Sequence, residues 1–450
     1  MRSSEFGWWG VFRLGLVQAA LGAIVVLTTS TLNRVMVVEL ALPAAVPGLL
    51  VGLHHALQLM RPRLGHQSDV GHRRTPWILG GMAILALGGT GAAAGTALAA
   101  TWPAAGLAVA AAAFVLIGLG TGSAGTALLV LLAGGVREHR QAAAATVVWV
   151  MMIMGFAVTA GTAGHFLDPY SPARLVQVAA VVCVAALALT AAALLGLEAQ
   201  ATRPMAPASG ATGTGRDAFR EALSEAWSGA ATRRFTVFVF VSMLAYSLQD
   251  LILEPFAGVA FGLTPGQTTR ISGLQHGGAL AGMALAGAAC SFRRLGSLGL
   301  WTTAGCVASA LALAGLAVAS RSPEGWPLHA NVFALGFANG VFAVGAISSM
   351  MRLAAADGGR RQGLRMGLWG AAQAIACGIG GVAGALAADL ARWVVGDPVR
   401  AYSIVFGAES ALFLLSIRWV APEAGRGAHP APEGRATESG NLAPASATQG

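Results

Sequence analysis

The sequence predicts an all-α integral membrane protein of twelve transmembrane helices arranged as two six-helix repeats. Three observations predict it. Of 450 residues, 56% are apolar and only 10% charged, where a soluble chain carries about a quarter charged residues. The apolar residues fall into twelve long runs, and crossing about 30 Å of hydrocarbon takes roughly 20 of them. The second half of the chain also echoes the first at a nearly constant offset. This composition excludes an ordinary cytosolic enzyme and a disordered chain.

The first run, Leu14 to Val38, is too long for the apolar core of a signal peptide and lacks a small-residue cleavage site, so it reads as a retained helix. Ala44 to Met60, Pro76 to Ala99, Ala104 to Val136, Ala142 to Phe166 and Leu175 to Leu197 complete the first six spans. The second six are Phe235 to Phe261, Thr268 to Phe292, Leu298 to Ala319, Leu328 to Leu353, Met366 to Leu390 and Tyr402 to Trp419. The expected organisation is a first half over 1–197, a cytoplasmic linker over 198–234, a second half over 235–420 and a disordered tail over 421–450. Within the linker, Phe219, Leu223 and Trp227 recur every four residues with charged residues on the other faces, which predicts a short helix lying on the membrane surface.

The net charge of +9 and pI near 10.8 would suggest a nucleic-acid partner in a soluble chain. Here there is no Lys, and the 28 Arg lie in short runs between spans. With both termini inside, 22 of them fall on the inner side and 6 on the outer. The positive-inside rule therefore predicts a protein surrounded by lipid with both termini on the cytoplasmic side, and without a nucleic-acid partner. Cys183, Cys290, Cys306 and Cys377 are widely spaced inside apolar runs, so they read as packing residues, and no metal site is expected.

At an offset of about 221 residues, Leu32 meets Leu253, Leu42 meets Leu263, and Gly52-Leu53-His54-His55 meets Gly273-Leu274-Gln275-His276. Gly118 to Gly122 parallels Gly336 to Gly340, and Trp149 parallels Trp369, at nearly the same offset. Two six-helix halves joined by a long inner loop resemble the plan of the major facilitator superfamily. Gly65, Asp69, Arg73 and Arg74 in the loop after the second span resemble that superfamily's inner-gate motif, although Val70 takes its basic position and Gly71 comes one place early. Ordinary anchoring by inner arginines is the alternative reading of that loop. Asp69 is expected to face the start of the eleventh helix near Met366.

Gly120-Thr121-Gly122-Ser123-Ala124-Gly125 spells GxGxxG, but it lies in an apolar helix with no preceding strand, so dinucleotide binding is rejected and close helix packing expected. Gly363, Gly367, Gly380 and Gly384 are read the same way in the eleventh span. Ionisable groups inside spans are expensive and therefore functional candidates. His54 and His55 fall mid-span in the second helix and His276, with Gln275 beside it, at the equivalent place in the eighth; His54, Gln275 and His276 are candidates to line a cavity or hold a pigment. An imidazole can ligate a metal, including the magnesium of a chlorin, or relay a proton; a hydrogen-bonded interhelical histidine is the plain alternative. Asp250 and Glu254 lie four apart, which on a regular helix places them on one face, and Arg34 is the candidate to join them in an outer gate. An acidic pair touching only headgroups or water is the alternative. No catalytic arrangement is recognised.

The string RLGLVQAALGAIVVLTTSTLNRVMVVELALPA, from Arg13 to Ala44, resembles the PucC-type family of photosynthetic bacteria. So does the segment from Arg233 to Gly278, and the similarity runs from about Arg13 to Val420. LQDLILEPFAG and SGLQHGG are most similar to the branch whose members carry the label bacteriochlorophyll synthase chain. The resemblance implies a major facilitator fold and a non-enzymatic role in handling or delivering bacteriochlorophyll, or a late precursor, for light-harvesting complex assembly. Bacteriochlorophyll is then a bound ligand and there is no intrinsic cofactor; antenna polypeptides and the pigment synthase are the implied partners. The family strings include Asn33, Arg34, Glu39, Asp250, Glu254, Gln275 and His276. A non-transporting assembly factor and a generic proton-coupled exporter are the alternatives.

Overall fold

In the computed structural model, residues 6–58, 74–197, 227, 229–291, 297–355 and 362–420 are described. They form α1 (Trp8–Glu39), α2 (Ala45–Leu57), α3 (Thr75–Ala99), α4 (Pro103–Gly135), α5 (Glu138–Phe166) and α6 (Pro172–Leu194). The second set is α7 (Ala230–Phe261), α8 (Pro265–Ser291), α9 (Leu298–Ala319), α10 (Leu328–Ala355), α11 (Gln362–Val395) and α12 (Pro398–Ser416). Several starts are written locally. Proline occupies the first turn of α3, α4, α6 and α12, and side chains of Ser171, Ser297 and Asp397 cap α6, α9 and α12.

Ten of these helices are long and apolar enough to cross a membrane. The other two, α2 and α8, are counterparts in the repeat. The described part of α2 is 13 residues long, whereas α8 carries Gln267, Thr268, Thr269, Arg270, Ser272, Gln275 and His276 along its first half. This polar helix packs extensively against α5 and α10.

Packing repeats as the sequence does. Helix α1 packs on α5 as α7 does on α11, α2 on α4 as α8 on α10, α3 on α4 as α9 on α10, and α3 on α6 as α9 on α12. The halves meet along two equivalent seams, α2 with α11 and α8 with α5. The offset of 221 holds there to the residue. A Cβ on Gly52 would lie 2.6 Å from Val382, and one on the equivalent Gly273 would lie 2.7 Å from the equivalent Gly161. The first-half core is built mainly from small and aliphatic side chains, whereas Phe235, Phe238, Phe256, Phe342, Phe406 and Phe413 fill the second with edge-to-face contacts. In lipid such close packing, more than water exclusion, holds helices together.

Within the GxGxxG string a Cβ on Gly125 would meet nothing nearer than 3.9 Å, whereas Gly120 packs helices closely, a Cβ there sitting 2.6 Å from the backbone of Leu85. Gly380 and Gly384 do the same for α11, with Cβ positions 2.8 Å from Ser247 and 2.6 Å from the Leu248 carbonyl of α7. Among the described cysteines Cys183 and Cys306 are buried, and all three are free thiols. The linker helix around Phe219 and Leu223, the tail, and Gly65, Asp69, Arg73, Gly363 and Gly367 fall outside the described residues or side chains.

Candidate functional site

The face carrying Trp8 and Ser416 is here called the terminal face, and the opposite one the far face. Toward the far face α1 and α7 both lose regular helical geometry. Helix α1 widens into π-helical turns at Leu27–Thr31 and Val35–Glu39, and α7 breaks at Leu251 and Ile252. Shifted by 221, the break falls on Ser30 and Thr31, so both repeats deform at the same place. Such deformations free backbone groups and mark functional sites in helices. The Asn33 amide meets one of these needs across the halves, donating to the Leu251 carbonyl at 2.7 Å.

A buried polar seam surrounds the deformation. Ser30 Oγ hydrogen-bonds the Glu254 carboxylate and lies 3.2 Å from Ser272 Oγ of α8. Thr31 and Thr269 hydroxyls pair at 3.1 Å. Glu254 is 2% exposed, and its Oε2 has no partner. Arg34, also 2% exposed, donates to the Leu263 carbonyl beyond the end of α7 at 2.6 Å, and its other terminal nitrogen pairs with Glu39. Its guanidinium crosses Gly258, where a Cβ would stand 3.0 Å from Nη2. Three helices from two halves are therefore joined by side chains that lipid could not satisfy.

The outer-gate trio is distributed differently from its sequence spacing. Arg34 and Glu254 come to one seam, but the ion pair of Arg34 is with Glu39. Asp250 and Glu254 do not share a face: the chain turns between them, so Asp250 is exposed while Glu254 is buried. The physical reason is the break, which removes the regular four-residue repeat on which the sequence reading depended. Sequence reasoning also passed over Glu409 of α12, which is fully buried with both carboxylate oxygens unpartnered. Its signal was present, as a lone acid in mid-span.

The histidines part company as well. His54 is 1% exposed, with Nε2 2.8 Å from the Gln58 amide nitrogen and its ring edge-on to His55 at 4.8 Å. His276 is half-buried on α8, beside the Phe156 ring of α5 at 5.1 Å. Its Nδ1 lies 2.8 Å from the Ser272 carbonyl. A carbonyl only accepts, so Nδ1 carries the proton and the Nε2 lone pair is left for another partner. Gln275 is buried, its carbonyl against Gly336 of α10. Arg74, the described member of the inner-gate motif, is 6% exposed just ahead of α3. A small cavity borders Thr28, Gly89 and Cys183, and an open one of about 420 Å³ lies at the far face beside Leu263 and Trp326. Neither is lined by His54, His276 or Asp250.

A family model described as PUCC protein matches residues 31–426. The chain is 50% identical to the "Bacteriochlorophyll synthase 44.5 kDa chain" of Rhodobacter capsulatus, over 91% of this chain and 94% of that one. It is 32% identical to the "Protein PucC" of the same organism, over 93% and 92% of the two chains. Among solved structures, a D-xylose-proton symporter superposes with a TM-score of 0.69 at 15% identity, covering 92% of this chain and 98% of that chain. A proton dependent oligopeptide transporter gives 0.65 at 15% identity, covering 91% and 96%. At such identities the likeness establishes the fold, which is the major facilitator fold of twelve helices in two repeats.

Proposed function

We propose, from the fact that this chain belongs to the PUCC protein family, that it handles or delivers bacteriochlorophyll, or a late precursor, for light-harvesting complex assembly in a bacterial photosynthetic membrane. The role is accessory to pigment synthesis and not itself catalytic. The arginine distribution supports an inner-membrane setting with both termini cytoplasmic. Antenna polypeptides and the pigment synthase are the partners this reading implies.

The observation that carries the pigment reading is His276. The magnesium of a chlorin accepts an axial nitrogen, and a histidine whose Nδ1 proton is held by a backbone carbonyl presents Nε2 in a fixed tautomer and direction. The ring lies beside Phe156 on the seam between the halves, its plane steeply inclined to the phenyl ring at a centroid distance of 5.1 Å. His54 is packed too tightly to offer the same service.

The test is purification in mild detergent from a host that makes bacteriochlorophyll, followed by measurement of chlorin absorbance per protein. The parent chain is expected to retain pigment, His276→Leu to lose it at least tenfold, and His54→Leu to retain it. Equal pigment content in the parent and His276→Leu would refute His276 as the ligand. Antenna polypeptides co-purifying without chlorin would instead support a docking factor that does not carry pigment.

A further inference from the structure

At the far face both seams end in the same device. Asp389 of α11 reaches across the halves and accepts the backbone N–H groups of Ala44 and Ala45 at 2.9 and 2.7 Å, where α2 begins. Subtracting 221 turns Asp389 into Asp168, just past α5, and adding 221 turns Ala45 into Gly266, in the first turn of α8. These two also meet. A Cβ on Gly266 would stand 2.5 Å from Asp168 Oδ2, and Asp168 pairs with Arg270 of α8 at 3.4 Å. A carboxylate from one half therefore lies against the first turn of the other half's second helix twice, accepting its N–H groups at α2 and meeting α8 through Gly266 and Arg270. First-turn N–H groups lack helical partners and the helix dipole favours negative charge there, so Asp389 ties the halves through N–H bonds and Asp168 through charge alone.

The two contacts are not equal, and the sequence gives the reason. The counterpart of Ala44 is Pro265, which has no N–H to donate. Both oxygens of Asp389 are used, whereas Asp168 Oδ1 is buried with no partner. The Arg270 pair that accompanies Asp168 is partly exposed and so contributes little. We propose that Asp389 and Asp168 are unequal latches that close the far face, and that the α5–α8 latch releases first while the α2–α11 latch holds. This concerns motion between the halves and is independent of what the protein carries.

Thr101 and Ser322 are exposed, lie in far-face turns of opposite halves and are themselves 221 apart, so spin labels on Thr101→Cys and Ser322→Cys report opening directly. The background has its four native cysteines replaced by alanine. Losing charge-assisted hydrogen bonds is worth roughly a factor of ten in a two-state equilibrium. Asp389→Ala is therefore expected to raise the long-distance population about tenfold, and Asp168→Ala by less than about threefold. If Asp389→Ala fails to fold, Asp389→Asn, which keeps one acceptor, is expected to fall between them. Pro265→Ala restores a donor to the weaker latch and should lower the open population of Asp389→Ala, an effect misfolding cannot mimic. Opening by Asp168→Ala that equals or exceeds that of Asp389→Ala, unchanged distances in all variants, or no effect of Pro265→Ala would overturn the proposal. A pigment-free preparation with these distance changes would leave the latches intact while removing the pigment reading.

Discussion

Arg34→Ala is expected to destabilise the protein by about 2 to 3 kcal/mol, the cost of leaving a carbonyl without its charged donor together with the void left by a large buried side chain. Arg34 is 2% exposed and joins Glu39 to the Leu263 carbonyl across the halves. Its removal leaves the Leu263 carbonyl without its donor and a void over Gly258, while Glu39, one-third exposed, is left to water. Arg34→Lys should recover only part of the loss, because an ammonium cannot reproduce a planar fork that serves two acceptors. Thermal unfolding in detergent measures both. A double-mutant cycle of Arg34 with Glu39 should give a coupling of about 1 kcal/mol or more, and a cycle with Glu254 a smaller one, since Ser30 occupies Glu254. A larger coupling to Glu254 would show that the arginine changes partner in the working protein.

The second large effect is expected at Gly336. A Cβ there would strike the Gln275 carbonyl of α8, and Gly282 and Gly340 make the same backbone-to-backbone approach between α8 and α10. Gly336→Ala should therefore cost about 3 kcal/mol, toward the upper end of overpacking, because backbone cannot rotate away as a side chain can. Gly277 of α8 faces open space, so Gly277→Ala should be neutral or stabilising by up to about 1 kcal/mol through helix propensity. Opposite shifts in unfolding temperature for the two variants are the measurable outcome. A similar loss at both positions would show that glycine is needed in these helices for a reason other than close approach.

The candidate site was legible to different depths. Arg34, Glu254, Asp250, His54 and His276 could be picked out because a charged or titratable group inside an apolar run is visible in a linear string. Their partners could not. Ser30, Thr269 and Ser272 are ordinary polar residues until the seam brings them against Glu254 and one another. Likewise His54 and His276 lie one place apart in the repeat, His276 being the counterpart of His55 and Gln275 that of His54. Packing then seals His54, whereas His276 is half-buried with its ring beside Phe156 and its Nδ1 on the Ser272 carbonyl.

The membrane class, the runs that form the twelve helices, the duplicated half and the family could all be read from the linear string. Each of these depends on composition, run length or repetition, which are properties of residues taken in order. The offset of 221 even contained both latches, since Asp168 and Asp389 are separated by it. Tertiary structure alone decided which groups are partners. The break at Leu251 and Ile252 turned Asp250 away from Glu254, and Pro265 made one latch weaker than its twin. Helical periodicity fixes directions only while the helix is regular. Where lipid cannot satisfy freed backbone and polar groups, contacts from the other half of the chain must do so, and those contacts set the geometry.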